Sequence, residues 1–208
     1  MKSILRQVWF AAGIFFNSPL LLLFLLTNEK QNILSDVLQW QNCLSWPQRN
    51  ELIQLLALLK EAKEFRNLYY FRLFKGNFSA RLLMYILKVI YRECPYFFLD
   101  NSCNIGPGLF IQHGFSTIIM ADLGENCWVN QQVTIGHKDK TGRPKIGNNV
   151  RITAGAKVLG NITIGDRVTV GANAVVVKNV PNDCVVVGVP AYIIQRDGVK
   201  VNYQTPTA

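Results

Sequence analysis

The chain has 208 residues, half of them hydrophobic and 17% charged, with a net charge of +9. That is enough apolar material for one domain with an appendage or for two small ones, and it excludes wholesale disorder. Fifteen Gly and eight Pro exclude a collagen-like chain or a linker. The basic balance is compatible with nucleic acid, anionic lipid or a phosphate-rich small molecule.

Met1 to Thr27 opens with Lys2 and Arg6, and residues 7–26 form an apolar stretch. Its length just suffices to cross a bilayer as a helix. No small-x-small cleavage site follows, and Asn17-Ser18-Pro19 interrupts the run. The residue before a proline disfavours helix, so two short segments are expected rather than one span. A buried or oligomer-facing element leads here. Peripheral membrane contact through residues 1–27 and a true anchor are the alternatives.

From Ile33 to Glu93 the pattern is helical. Ser35-Asp36 is expected to cap a helix through Val37, Leu38 and Trp40. Ser45-Trp46-Pro47 reads as a second start, with Pro in the first turn. Leu52, Leu55, Leu56 and Leu59 then recur at helical spacing. An aromatic and basic cluster follows at Phe65, Arg66, Tyr69, Tyr70, Phe71 and Arg72. Basic residues among aromatics can mark single-stranded nucleic-acid binding. Here they fall at helical spacing with no RNA-binding motif, so the expectation is a helical bundle with arginines at its edge and no nucleic acid. Gly76-Asn77 separates this helix from one capped by Ser79 and running through Leu82, Leu83, Ile86, Leu87 and Ile90.

After Asp100 the composition shifts to Ile, Val, Gly, Asn and Thr. Aliphatic residues fall at Ile105, Ile111, Leu123, Val129 and Ile135, each a multiple of six apart, with only Thr117 breaking the column. The period resumes at Ile146 and runs through Ile152, Val158, Ile164, Val170 and Val176. A second column of small or medium apolar residues lies two positions earlier: Leu109, Ala121, Cys127, Val133, then Val150, Ala156, Ile162, Val168 and Ala174. Gly often follows the aliphatic residue, where a sharp corner is needed. A hexapeptide thus supplies one short strand and one turn, three make a triangular coil, and stacked coils share an aliphatic core. The period shifts by five between Ile135 and Ile146, so a loop over 137–145 must bulge from one corner. Loops on a regular scaffold are where function concentrates. The periodicity leaves the hand of the coil open.

Five cysteines, at 43, 94, 103, 127 and 184, show no CxxC spacing. Neither a disulfide framework nor a zinc site is expected, and a reducing cytoplasm fits. Cys127 falls on the second column and reads as a small core hydrophobe. His113 and His137 are the only histidines, which excludes a three-His metal site within one chain.

Residues 104–195 resemble the hexapeptide-repeat acyltransferases. Within these they are most similar to the serine acetyltransferase branch and its relatives from surface-polysaccharide biosynthesis. The stretches NIGPGLFIQHG (104–114), ENCWVNQQVTIG (125–136), RPKIGNNVRITAGAKVLGNITIGDRVTVGANAVVVKNVP (143–181) and VVVGVPA (185–191) carry the resemblance. It implies a helical region over 1–99, a left-handed parallel β-helix over 100–195 with the loop 137–145, and a tail over 196–208. It also implies a homotrimer, or a dimer of trimers, with acetyl-CoA in the groove between neighbouring prisms and no metal.

His113, in the IQHG turn, matches the family's catalytic histidine. An imidazole, titrating near neutrality, can take the proton of an alcohol as it attacks a thioester. The tetrahedral oxyanion then needs a donor such as a backbone N–H. No cysteine matches a family nucleophile. The serine enzymes carry an aspartate fifteen residues before this histidine, where the chain has Phe98; Asp100 stands two residues on, as its expected substitute. They also carry Asp where the chain has Gln112, and a further His where it has Arg143. With His137, which opens the loop, Gln112 and Arg143 are the expected acceptor contacts. Ala154, Gly155, Ala172 and Ala174 match segments that approach coenzyme A, and Lys178 is placed to meet its phosphate. Lys157 and Arg167 read as solvated charges. The three departures favour a hydroxyl on a sugar, nucleotide-sugar or lipid-linked glycan precursor as acceptor. Serine O-acetylation is the close alternative, and a non-catalytic trimeric scaffold the distant one. The enzyme is expected in the cytoplasm, or at the inner face of the membrane.

Overall fold

The computed structural model describes residues 12–201. Residues 1–11, which include the start of the apolar stretch, and residues 202–208 of the expected tail lie outside the described residues. The chain divides into two compact units, residues 1–95 and 96–208.

The first unit is helical. Residues 12–17 are helical, a turn follows at Ser18, and α1 (Pro19–Leu26) starts with Pro in its first turn. The expected interruption is therefore a break between two short helices. Then come α2 (Lys30–Cys43), α3 (Glu51–Glu61), α4 (Lys63–Lys75) and α5 (Phe78–Leu87). No described helix is long and apolar enough to cross a membrane.

Three helix starts differ from the sequence reading. Asp36 is no cap: it lies inside α2, buried, and binds the guanidinium of Arg72 through Nε at 2.8 Å and Nη2 at 3.1 Å. A local rule sees an acid near a helix start; a cation thirty-six residues away claims it. α3 begins at Glu51, not near Pro47, because Asn50 Oδ1 accepts the Leu52 N–H. α5 begins at Phe78, which puts Ser79 inside its first turn. The aromatic stripe of α4 is core: Phe65, Tyr69 and Tyr70 are buried, and the two hydroxyls donate to the carbonyls of Leu20 and Tyr91. Arg72 is correspondingly interior, not at the bundle's edge.

The second unit is a three-faced prism. One face holds β1 (Phe97–Leu99), β3 (Thr117–Ile119), β6 (Thr134–Gly136), β9 (Lys157–Leu159) and β12 (Val175–Val176), all parallel. A second holds β4 (Asp122–Leu123), β7 (Lys145–Ile146) and β10 (Thr163–Ile164). The third carries β2 (Phe110–Gln112), β5 (Trp128–Asn130), β8 (Arg151–Ile152), β11 (Thr169–Val170) and β13 (Cys184–Val187). It ends in the antiparallel strands β14 (Tyr192–Arg196) and β15 (Val199–Lys200). The stretch from 196, expected as a tail, thus contributes a strand.

Every aliphatic residue of both columns points inward and is buried. Strands stack eighteen residues apart where a coil is regular, as in Phe110↔Trp128 and Lys145↔Thr163. They stack twenty-three apart across the loop, as in Trp128↔Arg151, which is the five-residue shift in the sequence. Thr117 breaks the column for a physical reason. The turn after His113 takes two extra residues, so Ile119 fills the layer and pairs with Ile135. Thr117 is buried all the same, its hydroxyl donating to the carbonyls of Asn130 and Phe115.

Candidate active site

The chain winds from the β4 face to the β2 face to the β1 face and back, so each corner forms an edge running the length of the prism. The edge between the β2 and β1 faces begins at His113. Below it lie Gln131 and Gln132, then Ala154 and Gly155, then Ala172 and Asn173. Backbone bonds stack these turns: Gln132 N–H to Phe115 O (2.9 Å), Gly155 N–H to Gln131 O (3.0 Å) and Asn173 N–H to Ala154 O (2.9 Å).

His113 is exposed at the corner with φ +54°, and its carbonyl accepts the Phe115 N–H at 2.6 Å. This tight left-handed turn ends β2 and throws the imidazole outward. Gly155 has φ +75°, and a Cβ there would strike Asn173 Oδ1. The edge is therefore narrow at this level for a steric reason.

The sequence-expected residues do not all gather here. Gln112 and Asn130 are level on neighbouring strands beside His113. Gln112 Oε1 accepts both Trp128 Nε1–H (3.2 Å) and Asn130 Nδ2–H (3.1 Å), so its carbonyl oxygen is engaged by the prism. Ala174, assigned to coenzyme A, is fully buried in the core column and faces no ligand. Asp100 follows β1 at the far end of its face, with Leu99 level with Ile119. Its carboxylate accepts the Ser102 N–H at 2.8 Å. About 10 Å of strand therefore separates it along the face from the His113 corner, and within one chain it does not orient His113.

His137, Arg143 and Lys178 share that far edge, between the β1 and β4 faces. His137 is exposed in the loop, and Lys178 is exposed two coils' turns below. Arg143, expected as an acceptor contact, pins the loop instead. It donates to Ser102 Oγ (2.7 Å) and Ser102 O (3.1 Å) and pairs with Asp122 at 2.8 Å. Lys157, expected as solvated, bonds Gln132 O and Thr134 Oγ1. Arg167 lies on the third edge, bidentate to Asp183.

Sequence reasoning passed over two features next to His113. The side-chain oxygens of Asn130 and Gln131 are buried with no hydrogen-bond donor, so the edge offers unmet acceptors. Arg151 stacks over Trp128, 4.6 Å from the ring centroid, on the outer face of β5 and β8. The period reader sees only inward positions, and outward ones carry no repeat. Cys103 and Cys127 are buried, and burial pushes each thiol up to about 11, in Cys103 against the opposing pull of Arg143. Neither supplies a thiolate at neutral pH. The described residues contain no group of three or more His, Cys, Asp or Glu able to hold a metal ion.

The bacterial transferase hexapeptide (six repeats) family matches residues 143–178. The serine acetyltransferase of Synechococcus elongatus is 47% identical over 109 residues, covering 50% of this chain and 45% of that protein. That of Staphylococcus xylosus is 40% identical over 126 residues, covering 56% and 58%. The chain spans about half the length of the curated relatives it matches. The crystal structure of serine acetyltransferase from Brucella abortus strain S19 superposes with a TM-score of 0.63 at 27% identity, covering 95% of this chain and 78% of that one. The same protein in complex with Coenzyme A gives 0.65 at 27%, covering 86% and 72%. The fold is accordingly a helical region followed by a left-handed parallel β-helix. With its hexapeptide coils and its extruded loop, the chain is similar to the hexapeptide-repeat acyltransferases, and among them to the serine acetyltransferases.

Proposed function

We propose that the chain is an acetyl-CoA-dependent O-acetyltransferase, with L-serine as the acceptor that its relatives favour. The observation that carries the reading is the single prism edge joining His113 to Ala154, Gly155 and Ala172. Small residues along an edge let a pantetheine arm lie against backbone, with the thioester brought up to the imidazole. His113 takes the proton of the acceptor hydroxyl as its oxygen attacks the thioester carbonyl. The tetrahedral oxyanion collapses, the C–S bond breaks, and the imidazolium returns its proton to the departing thiolate. No covalent acyl-enzyme is needed.

A second reading, acetylation of a sugar hydroxyl on a surface-polysaccharide precursor, is favoured by particular residues. Phe98 is exposed where the serine enzymes have an aspartate, and Arg143 is held by Ser102 and Asp122 rather than free to meet a carboxylate.

The separation of the two edges also supports a homotrimer in our reading. Within one chain His137 and Lys178 lie a full face away from His113. A neighbouring copy packed edge to edge would bring its loop and Lys178 to that histidine, and cyclic closure is a common outcome for such contacts. Five cysteines with no CxxC spacing fit a reducing cytoplasm.

The test is thiol release from acetyl-CoA with and without L-serine, for the intact chain and His113→Ala. Serine-dependent release that vanishes in the variant supports the first reading. Acetyl-CoA binding without serine-dependent release, followed by turnover on a sugar hydroxyl, supports the second. No binding of acetyl-CoA defeats both and leaves a scaffold.

A further inference from the structure

α5 buries one stripe and exposes the other. Ala80 and Met84, four apart, face the helical unit, while Phe78, Leu82, Tyr85 and Ile86 point outward. Val89 and Ile90, just past the helix, extend the outward stripe, with Phe78 and Val89 both about 70% exposed. At one hundred degrees per residue these positions fall on one side, opposite the buried pair. α1, packed against α5, leaves Leu22, Leu25 and Leu26 exposed as well. Six exposed large hydrophobics in thirteen residues form a continuous apolar strip, and such strips mark contact surfaces.

The charges identify the partner. From Phe65 to Arg92 the sequence has six cations and no acid. Arg66 and Arg72 are spent on the interior: Arg66 donates to the carbonyls of Leu59 and Arg92, and Arg72 binds Asp36. Lys75, Arg81, Lys88 and Arg92 remain toward the surface. Arg81 and Lys88, seven apart, run along one flank of the apolar strip. Lys88 meets Glu93 at 2.6 Å, an acid beyond the end of the strip. A second copy set face to face would bring cations against cations. An anionic surface complements both parts of the face, apolar centre and basic flank.

We propose that the outward face of α5 lies on an anionic lipid surface, its aromatic and aliphatic side chains among the headgroups and its flanking cations toward the lipid phosphates. The helix lies along the surface; no described helix is long enough to span one. The contact is independent of how the prism edge works, so acetyl-CoA chemistry and lipid binding fail or hold separately.

The experiment is co-sedimentation of the full chain with vesicles of phosphatidylcholine alone, or with about a third phosphatidylglycerol added to give a negative surface potential. The intact chain is expected to bind the anionic vesicles and to be released by high salt. Leu82→Ser/Ile86→Ser should weaken that binding about tenfold or more, since each loses a buried aliphatic group. Its melting temperature and its affinity for acetyl-CoA should stay unchanged, because both side chains are exposed. Leu82→Phe/Ile86→Leu should restore binding, and Arg81→Gln/Lys88→Gln should remove its salt dependence. Absence of binding to anionic vesicles, or equal binding to neutral ones, overturns the proposal. A fall in the solution mass of the double serine variant, with no vesicle binding by the intact chain, overturns it in favour of a second copy.

Discussion

The two units are held together by different physics. In the prism, one inward residue per strand stacks on the residue eighteen or twenty-three positions away, and the same contact recurs coil after coil. Its stability approximates a sum of coil and nearest-neighbour terms. The helical unit has no repeat. Its fold rests on single long-range contacts: Asp36 with Arg72, the Tyr69 hydroxyl on Leu20 O, and the Asn67 side chain clasping both the N–H and the carbonyl of Cys94. A repeat spreads the effect of one substitution over a few similar layers; a unique contact does not.

The largest effect expected from any one change is on chemistry. His113→Ala should lower acceptor-dependent thiol release by about 10²–10⁴-fold, the usual contribution of a positioned base. The melting temperature should not move, since His113 is an exposed corner residue. Next comes the helical unit's ion pair. Arg72→Met leaves the Asp36 carboxylate buried without its cation and should cost about 3–5 kcal/mol. Adding Asp36→Leu should recover most of that loss, and thermal melting of both variants checks it. In the prism, Ile152→Ala should cost about 2–4 kcal/mol, at the low end if adjoining layers settle into the cavity.

Alkaline pH sharpens the contrast further. Burial raises the thiol of Cys127 from its ordinary 9.0 to about 11 in the prism, and raises the phenols of Tyr69 and Tyr70 in the helical unit. Above the unfolded value, the unfolded chain releases protons that the folded one keeps, so stability falls with rising pH. For Cys127 the loss should run from about pH 9 to about 11, as its cited shift dictates. Urea melts at stepped pH follow it, and Cys127→Ala should reduce the prism's share while leaving that of Cys103. The smallest effect is expected at Arg143→Ala. The partly exposed pair with Asp122 contributes about 1 kcal/mol or less. The loop should nevertheless loosen, read as faster tryptic cleavage at Lys138 or Lys140.

The same contrast governs what the sequence reveals. A period of six is written into the chain, so the prism, the loop and the inward columns are legible before any coordinates. Thr117 looks like a flaw until the longer turn after His113 is seen to hand its layer to Ile119. The helical unit is legible only as helices. Asp36 obeys a local capping rule on paper and a distant arginine in space. At the site, motif matching marks the edge at His113, Ala154, Gly155 and Ala172. It misplaces Ala174, which belongs to the core column, and it does not show that Asp100 and Arg143 stand on the opposite edge of the same chain. Residue spacing alone does not say which corner of a triangular coil a side chain occupies; strand register does.

The central claim is that the edge running from His113 past Gly155 to Ala172 holds the acetyl donor. Calorimetric titration of coenzyme A into the intact chain and into Ala172→Trp tests it most directly, because Ala172 is an exposed corner position whose enlargement leaves the core untouched. The account predicts that the indole fills the edge and weakens binding about tenfold or more, with an unchanged melting temperature. Equal affinity in the two proteins would place the donor elsewhere and contradict it.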